Sequence, residues 1–303
     1  MIEHVPVMVE EVCDAVSHAP SLHKIVDATL GLGGYTKAFL TRWPDVSVLG
    51  IDKDPLAIQV AKDNLADFHN RVKFHNGDFR NLANILLEEN FMEPDAIVFD
   101  LGVSNLQISQ GERGFSFDID GPLDMRMGVG GTLTADEIVN SYSKEELANI
   151  FRRYGEEKYA ARIAWGICKY RQEKGSIKTT GQLVEVIRKT LPAPVQRKMG
   201  KNPARRVFQA LRIEVNDELR ALEDVMAACK KVVKGGTIIV VVSYHSLEDK
   251  IIKKQFKEWA TTGLGKMLTK KVLKPSEEEI SRNKKARSAK LRCFIFSSEG
   301  KDA

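Results

Sequence analysis

Residues 25–35, IVDATLGLGGY, constrain this chain more than any other stretch. A β-branched run meets an aspartate, then a glycine cluster that opens a helix-like segment, and Asp52 ends a second apolar run nineteen residues after Gly33. Valine and isoleucine favour a pleated strand, and glycine permits a turn at which the backbone approaches a ligand closely. An acid about 20 residues further on is placed for ribose hydroxyls. The pattern predicts a strand, a tight turn and a carboxylate that bind a nucleoside-type cofactor.

The glycine spacing bears on which cofactor that is. A dinucleotide fingerprint carries glycine at its first, third and sixth positions; Gly31 and Gly33 fit, and Thr36 stands sixth. A ligand without phosphates, such as S-adenosylmethionine, needs the close backbone approach but no anion-cradling helix start. The segment therefore favours a methyltransferase over a nicotinamide-dependent dehydrogenase. The plainer alternative is a glycine turn that serves packing alone, with Asp52 as a helix cap.

With 303 residues, 43% of them hydrophobic, the chain can bury the core of one large domain or two modest ones. No apolar run reaches the roughly 18 residues of a spanning helix, and the N-terminal MIEHVPVMVEEV lacks a basic flank before an apolar core. A cytoplasmic protein is expected. Cys13, Cys168, Cys229 and Cys293 are widely separated and read as reduced thiols, and the six histidines show no ligand spacing, so no catalytic metal is expected.

The net charge of +5 is mild, but its distribution is uneven. Residues 266–292 hold ten Lys or Arg against three Glu, and residues 188–212 hold eight basic residues with no Asp or Glu. Such blocks attract a polyphosphate backbone through counterion release, although either alone could be a solvated face. Two of them beside a cofactor fold favour a nucleic-acid substrate.

Short apolar runs recur at 24–28, 46–51, 72–75, 96–99 and 237–243, the earlier ones separated by helix-like segments. Alternation of this kind implies a parallel sheet with ligands beyond the carboxyl ends of its strands. Asp27, Asp52, Asp78 with Phe79, Asp100, and Tyr244 with His245 follow these runs in turn. About 135 residues separate the fourth run from the fifth, far more than one crossover needs. Within them Ser143 with Glu146 and Thr179 with Gln182 make capping boxes, and Leu147, Ile150, Phe151 and Tyr154 repeat at helical spacing. An inserted helical domain over 106–206 is expected, followed by one long amphipathic helix over 207–233. Residues 268–273 and 291–297 are expected to pair as antiparallel strands.

The segments HVPVMVEEV, DATLGLGGY, IDKDPLAI, DLGVSNLQ, ERGFSF, DGPLDMRM, YGEEKYA, FQALRIEVNDEL, SYHSLEDK and KKARSAKLR, in order from His4 to Arg292, resemble the RsmH family, also called MraW. Its members methylate the N4 of a cytidine in small-subunit ribosomal RNA with S-adenosylmethionine. The resemblance implies an α/β fold: a Rossmann-like, class I methyltransferase sheet formed by residues 1–105 and 207–303, carrying a substrate-recognition domain at 106–206. It places Gly33, Gly34 and Tyr35 at the cofactor's methionine end, Asp52 at the ribose, Phe79 against the adenine, and Asp100 and Gln107 around the amino-acid portion. Its partner is ribosomal RNA or an assembled small subunit, without a membrane; the oligomeric state stays open, a homodimer included.

Cytosine N4 is a weak nucleophile, its lone pair delocalised into the ring, so positioning should supply most of the acceleration. Asp100, at the Gly102 turn, and Ser104 are expected to orient the amine. His245 could accept a proton near neutral pH, and a structural role for it is as plausible. Phe115, Phe117 and Tyr244 offer faces on which an extruded base could stack, with core packing the alternative for the phenylalanines. Arg113, Asp124 and Arg126 could build a salt-bridged wall. The chain departs from the family at Tyr35 for histidine, at Ser104, Asn105 and Leu106 for a double serine and proline, at Tyr244 for phenylalanine and at Lys250 for arginine. A ribosome-assembly factor that keeps the fold but has lost turnover is the competing reading.

Overall fold

The computed structural model describes residues 6–128, 130–198, 203–269 and 271–298. His4 of the first family motif, and Lys201 and Lys270 of the basic blocks, lie outside them. The described residues form two compact units, Met1–Gly102 with Leu219–Ala303, and Val103–Glu218.

In the first unit each of the five apolar runs forms a strand: β1 Lys24–Asp27, β2 Ser47–Asp52, β3 Val72–Asn76, β4 Ala96–Asp100 and β5 Ile238–Ser243. With β6 Gly265–Met267 and β7 Lys290–Phe296 they build one sheet in the order β3-β2-β1-β4-β5-β7-β6. β1 to β5 run parallel, and β7 is antiparallel to both β5 and β6. Since β1 pairs with β2 on one side and β4 on the other, the winding reverses between them. That reversal opens a crevice at the carboxyl ends of the strands.

Strand periodicity divides the apolar side chains between two buried faces. Ile25, Val48, Val98 and Val240 lie in one core with residues of α1 (Val9–Val16) and α2 (Gly34–Arg42). The α3 helix (Pro55–Asn64) adds Ile58 and Ala61, and starts well because Asp54 caps it and proline occupies its first turn. Val26, Leu49, Ile97 and Ile239 face a second core that includes Leu82, Ile85 and Leu86 of α4 (Leu82–Glu88).

The second unit is helical: α5 Asn105–Ser109, α6 Ala135–Ser141, α7 Lys144–Arg153, α8 Ala160–Lys174, α9 Thr180–Thr190, α10 Ala193–Lys198 and α11 Arg205–Asn216. Both expected capping boxes are formed, at the starts of α7 and α9. Leu147, Phe151, Ile163, Ile167, Leu183, Ile187 and Leu211 centre its own core. Gly166 lets α8 and the end of α9 approach, since a Cβ there would stand 2.0 Å from Thr190 Oγ1.

The chain then returns to the sheet through α12 Glu218–Val232, α13 Ser246–Thr261 and α14 Glu277–Arg282. Leu222, Val225 and Met226 of α12 and Phe256 and Trp259 of α13 complete the second sheet core. The single helix expected over 207–233 is in fact two. Asp217 adopts left-handed dihedrals (φ 49, ψ 42), and its N–H bonds to the carbonyls of Ile213 and Glu214, closing α11 before α12 begins. Aspartate tolerates this conformation better than most residues, but without a glycine the stop is inconspicuous in sequence.

The expected strand at 268–273 also shifts. Pairing with β7 occupies residues 265–267, and Leu273 makes only an isolated bridge to Leu291. The strand starts directly behind α13 because Gly265 fits against the opposite strand, where a Cβ would stand 2.1 Å from the Ile295 carbonyl oxygen. Among the described residues no helix is long and apolar enough to cross a membrane.

Candidate cofactor and catalytic site

The crevice of the first unit is lined by residues at the carboxyl ends of the strands and in the turns behind them. At the end of β1 the Asp27 carboxylate is fully buried; its Oδ2 accepts the Thr36 hydroxyl at 2.7 Å, and its Oδ1 has no hydrogen-bond partner. Thr36, the residue that breaks the dinucleotide spacing, is thus the donor that a buried acid requires. Burial pushes the Asp27 carboxyl up to about 7. Sequence reasoning missed Thr36 in this role because the partner lies nine residues away, across the turn.

The turn itself needs its glycines at two places. Gly31 has φ 52 and donates its N–H to Asp52 Oδ2 at 2.8 Å. Gly33, with φ 82, caps α2, and a Cβ there would stand 2.8 Å from Leu65 Cδ1. Asp52 at the end of β2 takes a second peptide hydrogen bond on Oδ1 from Asp54 at 2.9 Å. Burial still pushes its carboxyl up to about 6, against these two donors. The ribose acid expected from sequence is therefore clamped to the glycine turn by that turn's own backbone.

Gly34 begins α2, and Tyr35 follows it inside the protein. The Tyr35 ring stacks on Phe39 with centroids 6.3 Å apart, and its hydroxyl donates to the Val7 carbonyl. Only the Tyr35 backbone remains for a ligand, because its side chain is committed to the core. After β3, Asp78 caps the following turn and Phe79 sits half-buried, its ring edge-on to Phe99 at 5.9 Å.

Asp100 ends β4. Its peptide N–H donates to Thr29 Oγ1 at 2.6 Å, which joins the β1 and β4 ends. Its carboxylate lies beside the Tyr244 hydroxyl and the Gly102 N–H, and Oδ1 is buried with no hydrogen-bond partner. Burial pushes this carboxyl up to about 6, opposed by Tyr244 and Gly102; Glu248 raises it further and Lys285 lowers it. Lys285 itself is held below the usual lysine range by desolvation of its ammonium, and Asp100 pulls it back.

His245 is employed as the cap of α13. Its Nδ1 accepts the Glu248 N–H at 3.4 Å, and its Nε2 lies 3.0 Å from Glu248 Oε1 but off the line of a hydrogen bond. The buried Glu248 in turn accepts the peptide N–H of Tyr244 at 2.8 Å and of His245 at 3.1 Å. Glu248 was missed from sequence, although an acid three residues after a helix start is the familiar signature of such a box.

Ser104 and Gln107 belong to the second unit. They form another capping box, Ser104 Oγ accepting the Gln107 N–H at 3.1 Å and Gln107 Oε1 accepting the Ser104 N–H at 3.2 Å. In the same unit Arg126 grips Asp124 through two hydrogen bonds of 2.8 and 2.7 Å, and Arg113 donates to the carbonyls of Arg126 and Met127. Phe115 is buried, and the half-buried Phe117 packs edge-on to Phe208 against that unit's core.

The basic blocks separate into structural and exposed residues. Arg292 is buried and bonds Asp249 Oδ1 at 2.7 Å, with Lys290 3.3 Å from Oδ2. Arg212 is likewise held, by Glu218 at 2.7 and 2.8 Å. Lys271, Lys274, Lys284 and Arg287 stay exposed in the first unit, and Arg188, Arg205 and Arg206 in the second.

A sheet of this order, with a glycine turn after β1 and a clamped acid at the end of β2, defines a Rossmann-like methyltransferase that uses S-adenosylmethionine. The model of the MraW methylase family matches residues 1–297, and the chain belongs to that family, the ribosomal RNA methyltransferases also called RsmH. Among solved structures, the chain is similar to an rRNA methylase from Streptococcus thermophilus (10% identity, 98% of this chain and 99% of that one, TM-score 0.43). It is also similar to an S-adenosylmethionine-dependent O-methyltransferase from Thermotoga maritima (11% identity, 98% and 68%, TM-score 0.42). The assignment rests on the family match and not on these distant likenesses.

Proposed function

We propose that this enzyme transfers the methyl group of S-adenosylmethionine to the N4 amino group of a cytidine in small-subunit ribosomal RNA, in the cytoplasm. The observation that carries this reading is Asp100: a carboxylate at the crevice beside Tyr244 and Gly102, its peptide N–H fixed on Thr29 Oγ1 and one of its oxygens buried and unpartnered. A buried acceptor without a donor costs stability unless a ligand supplies one. Both a cationic α-amino group and an exocyclic amine can do so.

Bound S-adenosylmethionine supplies a methyl group on a positively charged sulfur, which a neutral amine can displace. The residues present fit that cofactor. Asp52 would hold the ribose hydroxyls, Phe79 would flank the adenine, and the backbone of Gly33, Gly34 and Tyr35 would lie along the methionine end. Gln107 would contribute at the amino-acid portion. Asp100 would accept a hydrogen from N4, turning the nitrogen lone pair out of conjugation and toward the methyl, with Ser104 on the substrate side. As the N–C bond forms and the C–S bond breaks, the N4 proton leaves by way of Asp100 or water. His245, whose ring Nδ1 accepts the Glu248 N–H, would serve as the cap of α13, next to the Tyr244 peptide that Glu248 also holds. Residues 103–218 would recognise the RNA, with the exposed arginines of α9 and α11 toward the phosphates.

The test incubates the purified enzyme and labelled S-adenosylmethionine with small ribosomal subunits lacking the modification, then maps the product by nucleoside mass spectrometry. N4-methylcytidine at one position is expected. Label on a ribose oxygen or a ring carbon, or no transfer at all, would defeat the proposal; the last outcome would favour the assembly factor.

A further inference from the structure

We propose that Tyr35 and Glu279 are positioning residues for S-adenosylmethionine: together they clasp the Val7–Met8 peptide by its two ends and so brace the glycine turn from the core side. The inference rests on the reading that this turn's backbone lies along the cofactor, and it requires nothing of the RNA. One peptide group is held twice. Its carbonyl, on Val7, accepts the Tyr35 hydroxyl, and its N–H, on Met8, donates to Glu279 Oε1 at 2.6 Å. The two side chains come from α2 and α14, so the clasp ties the segment before α1 to the turn after β1 and to the far end of the chain.

Each partner meets a need of the other. Tyr35 is buried with its ring stacked on Phe39, and a phenol out of water requires an acceptor. Met8 caps α1 in left-handed dihedrals (φ 55, ψ 38), and its carbonyl takes the Val12 N–H at 2.9 Å. The Met8 N–H lies outside that helix's ladder, and the Glu279 carboxylate satisfies it. Methionine rarely adopts these dihedrals, which persist where the surroundings over-determine them. Val7 and Met8 are buried in the same core as Tyr35, with Ile280 of α14 packed against it. Glu279 is itself placed by its neighbours: Ser276 Oγ takes its N–H at 3.1 Å, and Leu273, shortly before α14, bridges to Leu291 of β7.

The cofactor feels the clasp through the two residues that precede Tyr35. Gly33 caps α2 and Gly34 opens it, so the backbone at this point has the widest conformational freedom in the site. Two side chains at the start of α2 pin it: Thr36 on Asp27 at 2.7 Å, and Tyr35 on Val7. A turn already set in its bound conformation binds more tightly, because the ligand does not have to order it. Phenylalanine at 35 keeps the stack on Phe39 and loses only the donor. Glutamine at 279 keeps an acceptor for the Met8 N–H, whereas alanine removes it. The histidine that the family carries in place of Tyr35 has a smaller ring and no phenol, so this brace accompanies the chain's own departure.

The experiment titrates S-adenosylmethionine by isothermal calorimetry, without RNA, into wild type, Tyr35→Phe, Glu279→Ala and Glu279→Gln, with thermal melting alongside. Tyr35→Phe and Glu279→Ala are each expected to raise Kd about three- to tenfold, and Glu279→Gln to recover most of that loss. The double variant Tyr35→Phe with Glu279→Ala should lose less than the product of the two single losses, since both act on one peptide. In turnover the KM for S-adenosylmethionine rises by a similar factor while kcat falls by less. A pair that only stabilised the fold would lower the melting temperature and leave Kd in place, so a Kd within about twofold of wild type in both single variants overturns the proposal. Losses that simply multiply, or a Glu279→Gln as weak as Glu279→Ala, overturn it too. Should Tyr35→Phe not fold, the two Glu279 variants, on a partly exposed side chain, decide the matter. Unchanged Kd in Gly33→Ala as well would defeat the reading of the turn itself, whereas unchanged Kd in the clasp variants alone defeats only the clasp.

Discussion

At the scale of single residues, the site depends on a few atoms that have no freedom. Gly33 combines a left-handed φ of 82 with a neighbour, Leu65, that is itself fully buried. Gly33→Ala should therefore cost about 1–2 kcal/mol of stability and weaken S-adenosylmethionine binding by at least about tenfold. Thermal melting and isothermal titration check the two effects, and a variant that binds the cofactor like wild type would show that the turn does not approach it. The glycines and Asp52 were legible because a close turn and a following acid have a fixed spacing along the chain. Thr36 and Thr29 were not, since each acquires its role from an aspartate that only folding brings near.

At the scale of elements, a run of positive charge in sequence does not equal a positive surface. Between 284 and 292 the chain passes from a short helical turn into β7, and the strand turns Arg292 inward onto Asp249 while Lys284 and Arg287 point to solvent. The double reversal Lys284→Glu with Arg287→Glu should weaken RNA binding by about tenfold or more and flatten the slope of affinity against salt by about two. Filter binding over a salt series reads both, and an unchanged slope would remove this segment from the RNA surface. Pattern legibility at this scale followed local chemistry. The five parallel strands and the capping boxes of α7 and α9 rest on residues within a few positions of one another, whereas the register of β6 depends on distant packing, and the break at Asp217, though local, lacks the glycine that would mark it.

For the molecule as a whole, three strand-end carboxyls are pushed up by burial: Asp27 to about 7, Asp52 and Asp100 to about 6. Unfolded, each releases its proton near 3.8, so between that pH and the raised values the native state binds more protons than the unfolded one. Stability therefore falls as pH rises from about 4 to about 7 and is level above. Wild type is expected to melt higher at pH 5 than at pH 8, and Asp27→Asn should narrow that difference by removing the largest raised group. An equal gap in both proteins would show that Asp27 does not hold its proton. Binding of S-adenosylmethionine should reduce the penalty at pH 8, because a cationic ligand favours the charged form of Asp100.

The amino-acid sequence by itself determined the alternation of strands and helices, the glycine turn with its acid, the inserted helical segment and the family. All of these are written in spacings along one chain, where hydrophobic period and turn chemistry act locally. Tertiary structure alone decided which carboxylates are buried, which donor each receives, and which basic side chains reach water. Those depend on the sheet order β3-β2-β1-β4-β5, which sets Asp27, Asp52, Asp100 and Tyr244 around one crevice although they span more than two hundred residues. Desolvation and hydrogen bonding act across a few ångströms of space, and the distance along the chain carries no trace of them.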